Sequence, residues 1–129
     1  MNYHSVREIT PLELKQRLDA GDVPVLVDVR EPFEVEIADL PDHAQILIPT
    51  GEFVGRIDEL DQEAEIVLYC RSGQRSEWAA QMLLQAGFSK VLNLDGGVLR
   101  WRADVDPTYI PGRFRTASNP LRTVIWLAV

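Results

Sequence analysis

The sequence predicts a three-layer α/β domain, in which helices cover both faces of a central, mostly parallel β-sheet. Four short apolar segments, "PVLVDVR", "AQILIP", "AEIVLYC" and "KVLNL", have the length and composition of strands. Segments with helical spacing separate them, and parallel strands need such crossover connections. The chain has 129 residues, 46% of them hydrophobic and 26% charged, which is typical of one soluble globular domain.

The first helix has clear start and stop signals. Thr10 is a suitable N-cap, Pro11 fits the first helical position, and Glu13 completes a capping box. Gly21 provides a C-terminal stop. Residues 24–30 follow, and they are apolar at both alternating positions. That pattern predicts a strand buried on both faces of the sheet.

The middle of the chain continues this alternation. A short helix is predicted from Pro32, with Phe33 and Ile37 one turn apart on its apolar side. Residues 44–49 then predict a strand, ended by Pro49. The segment "EFVGRIDEL" has helical spacing in the apolar residues Phe53, Ile57 and Leu60.

The second half repeats the pattern and then loses it. Residues 64–70 predict a buried strand, and a helix over 76–86 is predicted from the apolar spacing of Ala79, Met82, Leu83 and Ala86. "KVLNLDGG" predicts a last strand and a glycine turn. We therefore expect one domain over residues 5–105. We expect residues 106–129 to form a C-terminal tail, which could pack on the domain, bind a partner or be a segment that is foreign to the natural protein.

Charge and cysteine content exclude several classes of function. The net charge is −7 and the isoelectric point is about 4.7, so neither nucleic acid nor a membrane surface is an expected partner. A single cysteine cannot form an internal disulfide, and "MNYHSVREIT" has no apolar signal region, which together predict a cytoplasmic protein. His4 and His43 lack the neighbours of a metal site and are assigned to the surface. No metal or cofactor is expected.

The single cysteine, Cys70, ends a predicted buried strand immediately before a helix. Ligands of open α/β sheets bind at this edge. The loop N–H groups and the positive end of the helix would stabilise an anion there, and Gly73 would let the loop curl tightly. Arg71 and Arg75 add positive charge. We therefore expect an acidic, nucleophilic thiol whose cradle suits either a persulfide or a phosphate.

Three stretches, "DVREPFEVE", "CRSGQRS" and "LDGGVLRW", resemble the rhodanese (sulfurtransferase) family in their order and spacing. The resemblance covers residues 5–105 and implies a rhodanese-like fold. It also implies that Cys70 accepts a sulfane sulfur as a persulfide and passes it to a thiophilic or protein acceptor. Persulfide and substrate binding would then fall to the loop residues Arg71, Ser72, Gly73, Gln74 and Arg75.

Other residues are assigned supporting roles. Asp28 and Arg30 end a strand at the same sheet edge as Cys70, where they would support the loop together with Ser76. An ordinary surface ion pair is the alternative for Asp28 and Arg30. We assign Trp101 to the core, and packing is also favoured for Trp78.

Two other functions compete with sulfur transfer. The loop from Cys70 to Arg75 has C-x4-R spacing, whereas cysteine phosphatases use a longer C-x5-R loop that is wide enough for phosphate or arsenate. A phosphatase or arsenate reductase is therefore ranked low. A non-catalytic rhodanese-like interaction module is the other alternative, although the cysteine is intact.

The expected partners follow from the resemblance. A small sulfane donor such as thiosulfate would supply the sulfur. The ending "WRADVDPTYIP" is similar to that of rhodanese domains fused to ThiF/MoeB-type adenylating enzymes. That similarity implies a sulfur-carrier protein or an adenylating enzyme as a partner.

Overall fold

A computed structural model of the protein describes residues 5–106, 113–115 and 126–128. Its main sheet has the strands β1 Arg7–Ile9, β2 Val25–Asp28, β3 Ile46–Leu47, β4 Ile66–Tyr69 and β5 Val91–Leu94. The helices are α1 Pro11–Asp19, α2 Pro32–Ile37, α3 Thr50–Phe53, α4 Gln74–Gln85 and α5 Gly97–Asp104, and a 3-10 helix spans Val54–Glu59.

All neighbouring strands of the main sheet pair in parallel, in the order β1-β5-β4-β2-β3. Strand β4 therefore lies in the middle, between β2 and β5. Its carboxyl end carries Cys70, as the sequence predicts. The predicted α/β fold with a parallel central sheet is confirmed.

Strand β4 shows how two cores form on opposite faces of the sheet. Ile66 and Leu68 pack with α4 and the 3-10 segment, whereas Val67 and Tyr69 pack with α1 and α5. All four side chains are fully buried. Because helices cover both faces of the sheet, successive residues of this strand can all be apolar instead of alternating with polar ones. Trp101 belongs to the second core, as predicted.

The start of α1 confirms the predicted capping box. Thr10 Oγ1 accepts a hydrogen bond from Glu13 N at 3.1 Å, and Thr10 N donates to Glu13 Oε1 at 2.8 Å. The helix ends before Gly21, whose φ of +79° lies in the left-handed region. Here the local sequence alone determines both ends of the helix.

Several boundaries differ from the predicted ones. The strand predicted over 44–49 is limited to two residues, Ile46 and Leu47. The helix predicted in "EFVGRIDEL" is instead a four-residue α3 followed by the 3-10 helix. Helix α4 begins at Gln74, two positions before the predicted start. Strand β1 was not predicted, and it forms as an edge strand beside β5.

Four side chains differ in exposure from what the sequence suggests. The predicted apolar side of α2 faces outward, since Phe33 and Ile37 are 65% and 51% exposed. Trp78 packs edge-on against Phe53, with 6.2 Å between ring centroids, yet it remains 41% exposed. His43 is half-buried, with Nδ1 3.1 Å from the carbonyl oxygen of Pro41. Position His4 lies outside the described residues.

The tail is described only in part. Arg113–Arg115 and Trp126–Ala128 pair as the antiparallel strands β6 and β7. The rest of residues 107–129 lies outside the described residues. Over the described ranges, the helices are too short or too polar to cross a bilayer.

Candidate active site

Cys70 lies at the carboxyl end of β4, where the chain turns into α4. Its neighbour Tyr69 is in register with Asp28 of β2. The cysteine therefore lies at the carboxyl end of the central strand, between β2 and β5. Gly73 is the N-cap residue of α4 and has a φ of +107°. This left-handed conformation favours glycine and directs the following N–H groups back toward the cysteine.

The sulfur of Cys70 accepts hydrogen bonds from the loop and from the first turn of α4. The donors are Gly73 N at 3.1 Å, Ser76 N at 3.4 Å and the Ser76 hydroxyl at 3.4 Å. Only 1% of Cys70 is exposed. The sulfur is thus buried but surrounded by hydrogen-bond donors, unlike the sulfur of an inert core thiol.

These contacts determine the acidity of the thiol. Burial by itself raises the pKa of Cys70, because a buried thiolate loses its hydration. Hydrogen bonds from the Ser76 hydroxyl and from the backbone N–H groups of Ser76, Gly73 and Ser72 act in the opposite direction. The combined effect of these hydrogen bonds is larger than the effect of burial, so the pKa of Cys70 falls below its ordinary value. The loop therefore stabilises the thiolate form of Cys70 relative to that of an ordinary cysteine.

Asn93 of β5 is a supporting residue that the sequence analysis missed. It is 1% exposed, and its Nδ2 donates to Gly73 O at 3.1 Å. Its Oδ1 accepts from the Ser76 hydroxyl at 2.5 Å. A hydroxyl has one proton, so donation to Asn93 and donation to the Cys70 sulfur are alternatives. An asparagine inside the apolar run "VLNL" was the signal in the sequence that could have indicated this role.

The glycine turn before α5 closes the other side of the loop. Val98 N donates to Cys70 O and Leu99 N donates to Arg71 O, both at 3.0 Å. A Cβ on Gly97 would lie 2.4 Å from Cys70 O, and Gly97 has a φ of +60°. Only glycine therefore allows the start of α5 to approach the cysteine backbone so closely.

The two loop arginines have different surroundings. Arg75 forms a bidentate ion pair with Glu34 of α2, with distances of 2.8 and 2.9 Å. Its charge is therefore balanced within the protein. Arg71 is exposed, and its guanidinium has no ion pair within the described part of the chain. Of the two cations predicted near the cysteine, Arg71 has the charge that remains available to a ligand.

The remaining loop residues lie at the surface. Ser72 and Gln74 are exposed, and the Ser72 hydroxyl donates to Gln74 Oε1 at 2.7 Å. Their side chains are thus bonded to each other, whereas the backbone N–H of Ser72 is among the groups that lower the pKa of Cys70. Within the described ranges, no group of three His, Cys, Asp or Glu residues is arranged to hold a metal ion.

Asp28 and Arg30 form a buried ion pair, which excludes the alternative of an ordinary surface pair. Two hydrogen bonds of 2.8 and 2.9 Å join their side chains, and they are 1% and 2% exposed. Arg30 also donates to Ala38 O at 2.9 Å and to Asp39 Oδ1 at 3.1 Å. The pair thus holds the end of α2 and the following turn, and α2 in turn reaches the loop through Glu34.

Comparison with known proteins places this chain in a family. Residues 10–104 match the family model of the rhodanese-like domain. A protein named sulfurtransferase from Allochromatium vinosum is 38% identical over 109 residues, which cover 82% of this chain and 97% of that protein. A crystal structure of a rhodanese-related protein from Thermoplasma volcanium has a TM-score of 0.67 at 27% identity, covering 81% of this chain and 95% of that one.

A fused relative matches over a comparable length. The probable adenylyltransferase/sulfurtransferase MoeZ from Mycobacterium tuberculosis is 39% identical over 106 residues. The match covers 79% of this chain but only 26% of MoeZ. The similarity to domains fused to adenylating enzymes is therefore confirmed. On the extent of these matches, the chain belongs to the rhodanese-like domain family and is a sulfurtransferase-like member of it.

Proposed function

We propose that the protein is a sulfurtransferase in which Cys70 carries a sulfane sulfur as a persulfide. The observation that carries this proposal is the set of donors around the sulfur, Gly73 N, Ser76 N and the Ser76 hydroxyl, at 3.1 to 3.4 Å. They favour the thiolate, which is the nucleophilic form of cysteine.

The reaction has two steps. The Cys70 thiolate attacks the outer sulfur of a donor such as thiosulfate, a new S–S bond forms, and sulfite leaves with the electrons of the broken S–S bond. A nucleophilic acceptor then attacks the terminal sulfur, and Cys70 leaves as a thiolate. Both leaving groups are anions, so the donors that stabilise the thiolate assist the second step as well.

The loop residues 71–75 have the binding role in this proposal. Their backbone N–H groups cradle the terminal sulfur of the persulfide, and the guanidinium of Arg71 attracts an anionic donor. Because Cys70 is 1% exposed, only the narrow end of a donor or acceptor reaches the sulfur. This restriction supports sulfur transfer over phosphate chemistry, which needs a cradle for a tetrahedral group.

The acceptor in this proposal is a protein, either a sulfur carrier or an adenylating enzyme. The name of the relative MoeZ, adenylyltransferase/sulfurtransferase, supports such a setting. We place the protein in the cytoplasm, where a reactive thiolate is kept reduced.

The proposal is tested by intact-protein mass spectrometry after treatment with thiosulfate. One added sulfur should raise the mass by about 32 Da, and cyanide or dithiothreitol should reverse the shift. Cys70→Ser should abolish the shift while circular dichroism shows a retained fold, because a hydroxyl is far less acidic than a thiol.

Parallel assays separate the alternatives. Hydrolysis of p-nitrophenyl phosphate without a mass shift would favour a phosphatase. With the thiol confirmed as reduced, an unchanged mass with several sulfane donors and no phosphatase activity would favour a non-catalytic interaction module.

A further inference from the structure

Helix α2 contributes no buried residue, although its sequence has apolar side chains one turn apart. Phe33 is 65% exposed and Ile37 is 51% exposed. A surface helix normally buries its apolar stripe against the core, so these two side chains do not explain the stability of the fold. Exposed apolar side chains grouped together are typical of interaction sites.

Both side chains line a cleft of about 430 Å³ between α2 and α5, which we name the α2–α5 cleft. Its opposite wall is formed by Val98 and Leu99, and Leu99 is 38% exposed. Arg71 also lines it. Because Leu99 N bonds Arg71 O and Val98 N bonds the carbonyl oxygen of the cysteine, the cleft begins beside the cysteine loop.

The charges of the cleft are unusual for an acidic chain. Arg30, Arg71 and Arg102 line it, together with one acidic residue, Glu34. Arg30 and Glu34 are held in ion pairs within the protein, whereas Arg71 has none within the described residues. The net charge of the whole chain is −7. The cleft therefore favours a negatively charged occupant.

The charges of the protein's own tail do not complement those of the cleft. Residues 107–129 contain three arginines and no acidic residue. Like charges would meet if this segment approached Arg71. A small molecule is also disfavoured, because small-ligand sites enclose most of the ligand, whereas Phe33 and Ile37 on one wall of this cleft are 65% and 51% exposed.

From these observations we infer that the α2–α5 cleft docks an extended, apolar and acidic segment of the protein that accepts sulfur from Cys70. The inference rests on the proposed function for the identity of the partner as acceptor. An extended segment is required because Cys70 is 1% exposed, so a broad folded surface cannot bring its nucleophile to the sulfur. The exposed apolar walls would hold the segment, and Arg71 would pair with its acidic side chain.

Binding is measured on the Cys70→Ser protein, so that the result does not depend on sulfur chemistry. The probes are peptides of about ten residues carrying a neutral fluorophore, in which Leu or Ser alternates with Glu or Lys. Fluorescence anisotropy should show the Leu/Glu peptide binding at least about tenfold more tightly than the Leu/Lys and Ser/Glu peptides. About 500 mM NaCl should weaken that binding several-fold.

Two substitutions test the location of the site. Phe33→Ser should weaken binding of the Leu/Glu peptide about tenfold, since it removes a large apolar contact. Val54→Ser is the matched control, because Val54 is 60% exposed and lies outside this cleft. Both positions are at the surface, so both variants should fold.

The outcomes distinguish this inference from the proposed function. Equal binding of the four peptides, or equal effects of the two substitutions, would overturn the inference even if a persulfide forms on wild-type protein. A dimer that Phe33→Ser dissociates in sedimentation would also overturn it, by assigning the cleft to a second copy. Selective Leu/Glu binding that Phe33→Ser weakens would support the cleft even if no persulfide forms.

Discussion

Glu34 and Arg75 are joined by two parallel hydrogen bonds, at 2.8 and 2.9 Å, although they are 41 positions apart in the chain. The pair ties α2 to the first turn of α4, next to the candidate nucleophile. Glu34 also accepts a hydrogen bond from Glu31 N at 3.0 Å, which caps the start of α2. One carboxylate thus fixes both the helix that lines the α2–α5 cleft and the helix that follows the cysteine loop.

The first prediction concerns acid stability. The hydrogen bonds from Arg75 lower the pKa of Glu34 to about 2, against the smaller effect of burial. A lowered folded-state pKa stabilises the protein above the unfolded-state value, and this contribution is lost as the pH falls from about 4.5 to about 2. Glu34→Gln should therefore lower the free energy of unfolding by about 1 kcal/mol at pH 7. The difference from wild type should shrink toward zero near pH 2.

Urea denaturation across this pH range measures the effect. Glu36→Gln is the matched control, because Glu36 lies in the same helix but is exposed. Its free energy of unfolding should follow that of wild type. A difference between Glu34→Gln and wild type that stays constant from pH 7 to about pH 2 would contradict the assigned ion pair.

The second prediction separates the two arginines by thiosulfate kinetics. Arg71→Ala should raise the thiosulfate KM about three- to tenfold at low salt, since it removes the charge that is free to attract the donor. Arg75→Ala should raise the thiosulfate KM less, because Glu34 already balances the charge of Arg75. High salt should reduce the difference between Arg71→Ala and wild type.

A double variant makes the comparison more specific. In a Glu34→Gln background, Arg75 has no carboxylate partner, so removing Arg75 should raise the thiosulfate KM more than it does in wild type. If Arg71→Ala and Arg75→Ala raise KM equally, in both backgrounds and at every salt concentration, then the ion pair does not determine which arginine meets the donor.

The sequence predicted the features that local chemistry determines. The capping box at Thr10 and Glu13, the strand that ends at Cys70 and the glycine in its loop each depend on a few neighbouring residues. The parallel sheet followed from the alternation of elements, because this alternation leaves few other topologies. Strand β1 escaped prediction since it has only three residues and pairs along one edge.

The features that escaped prediction depend on distant parts of the chain. Asn93 lies 17 positions from Ser76, and the contact exists only because β5 pairs with β4. Phe33 and Ile37 have a helical spacing, yet spacing shows only that two side chains share a side of a helix. The spacing does not show whether the domain supplies a surface that covers them. In this structure both side chains remain exposed.

The last prediction concerns the Ser76 hydroxyl and the reactive thiolate. This hydroxyl lies 3.4 Å from the Cys70 sulfur and 2.5 Å from Asn93 Oδ1. Ser76→Ala removes a contribution that lowers the pKa of Cys70, while the backbone donors from Gly73 and Ser76 remain. Where the hydroxyl proton is donated to Asn93 instead, Ser76→Ala leaves the buried Asn93 oxygen without that donor, which should cost about 1–3 kcal/mol of stability.

The pH dependence of persulfide formation distinguishes these two effects of Ser76→Ala. Thiolate formation should move to higher pH, so the rate with thiosulfate should fall most at pH values below the wild-type midpoint and approach the wild-type rate in alkali. Thiolate absorbance in the ultraviolet gives the midpoint directly, and Ser89→Ala is an exposed control whose midpoint should match wild type. A loss of rate by the same factor at every pH, with an unshifted midpoint, would instead show that the hydroxyl only holds Asn93 and the loop in place. The proton of Ser76 would then belong to Asn93 throughout the reaction, and the backbone N–H groups alone would account for the acidity of Cys70.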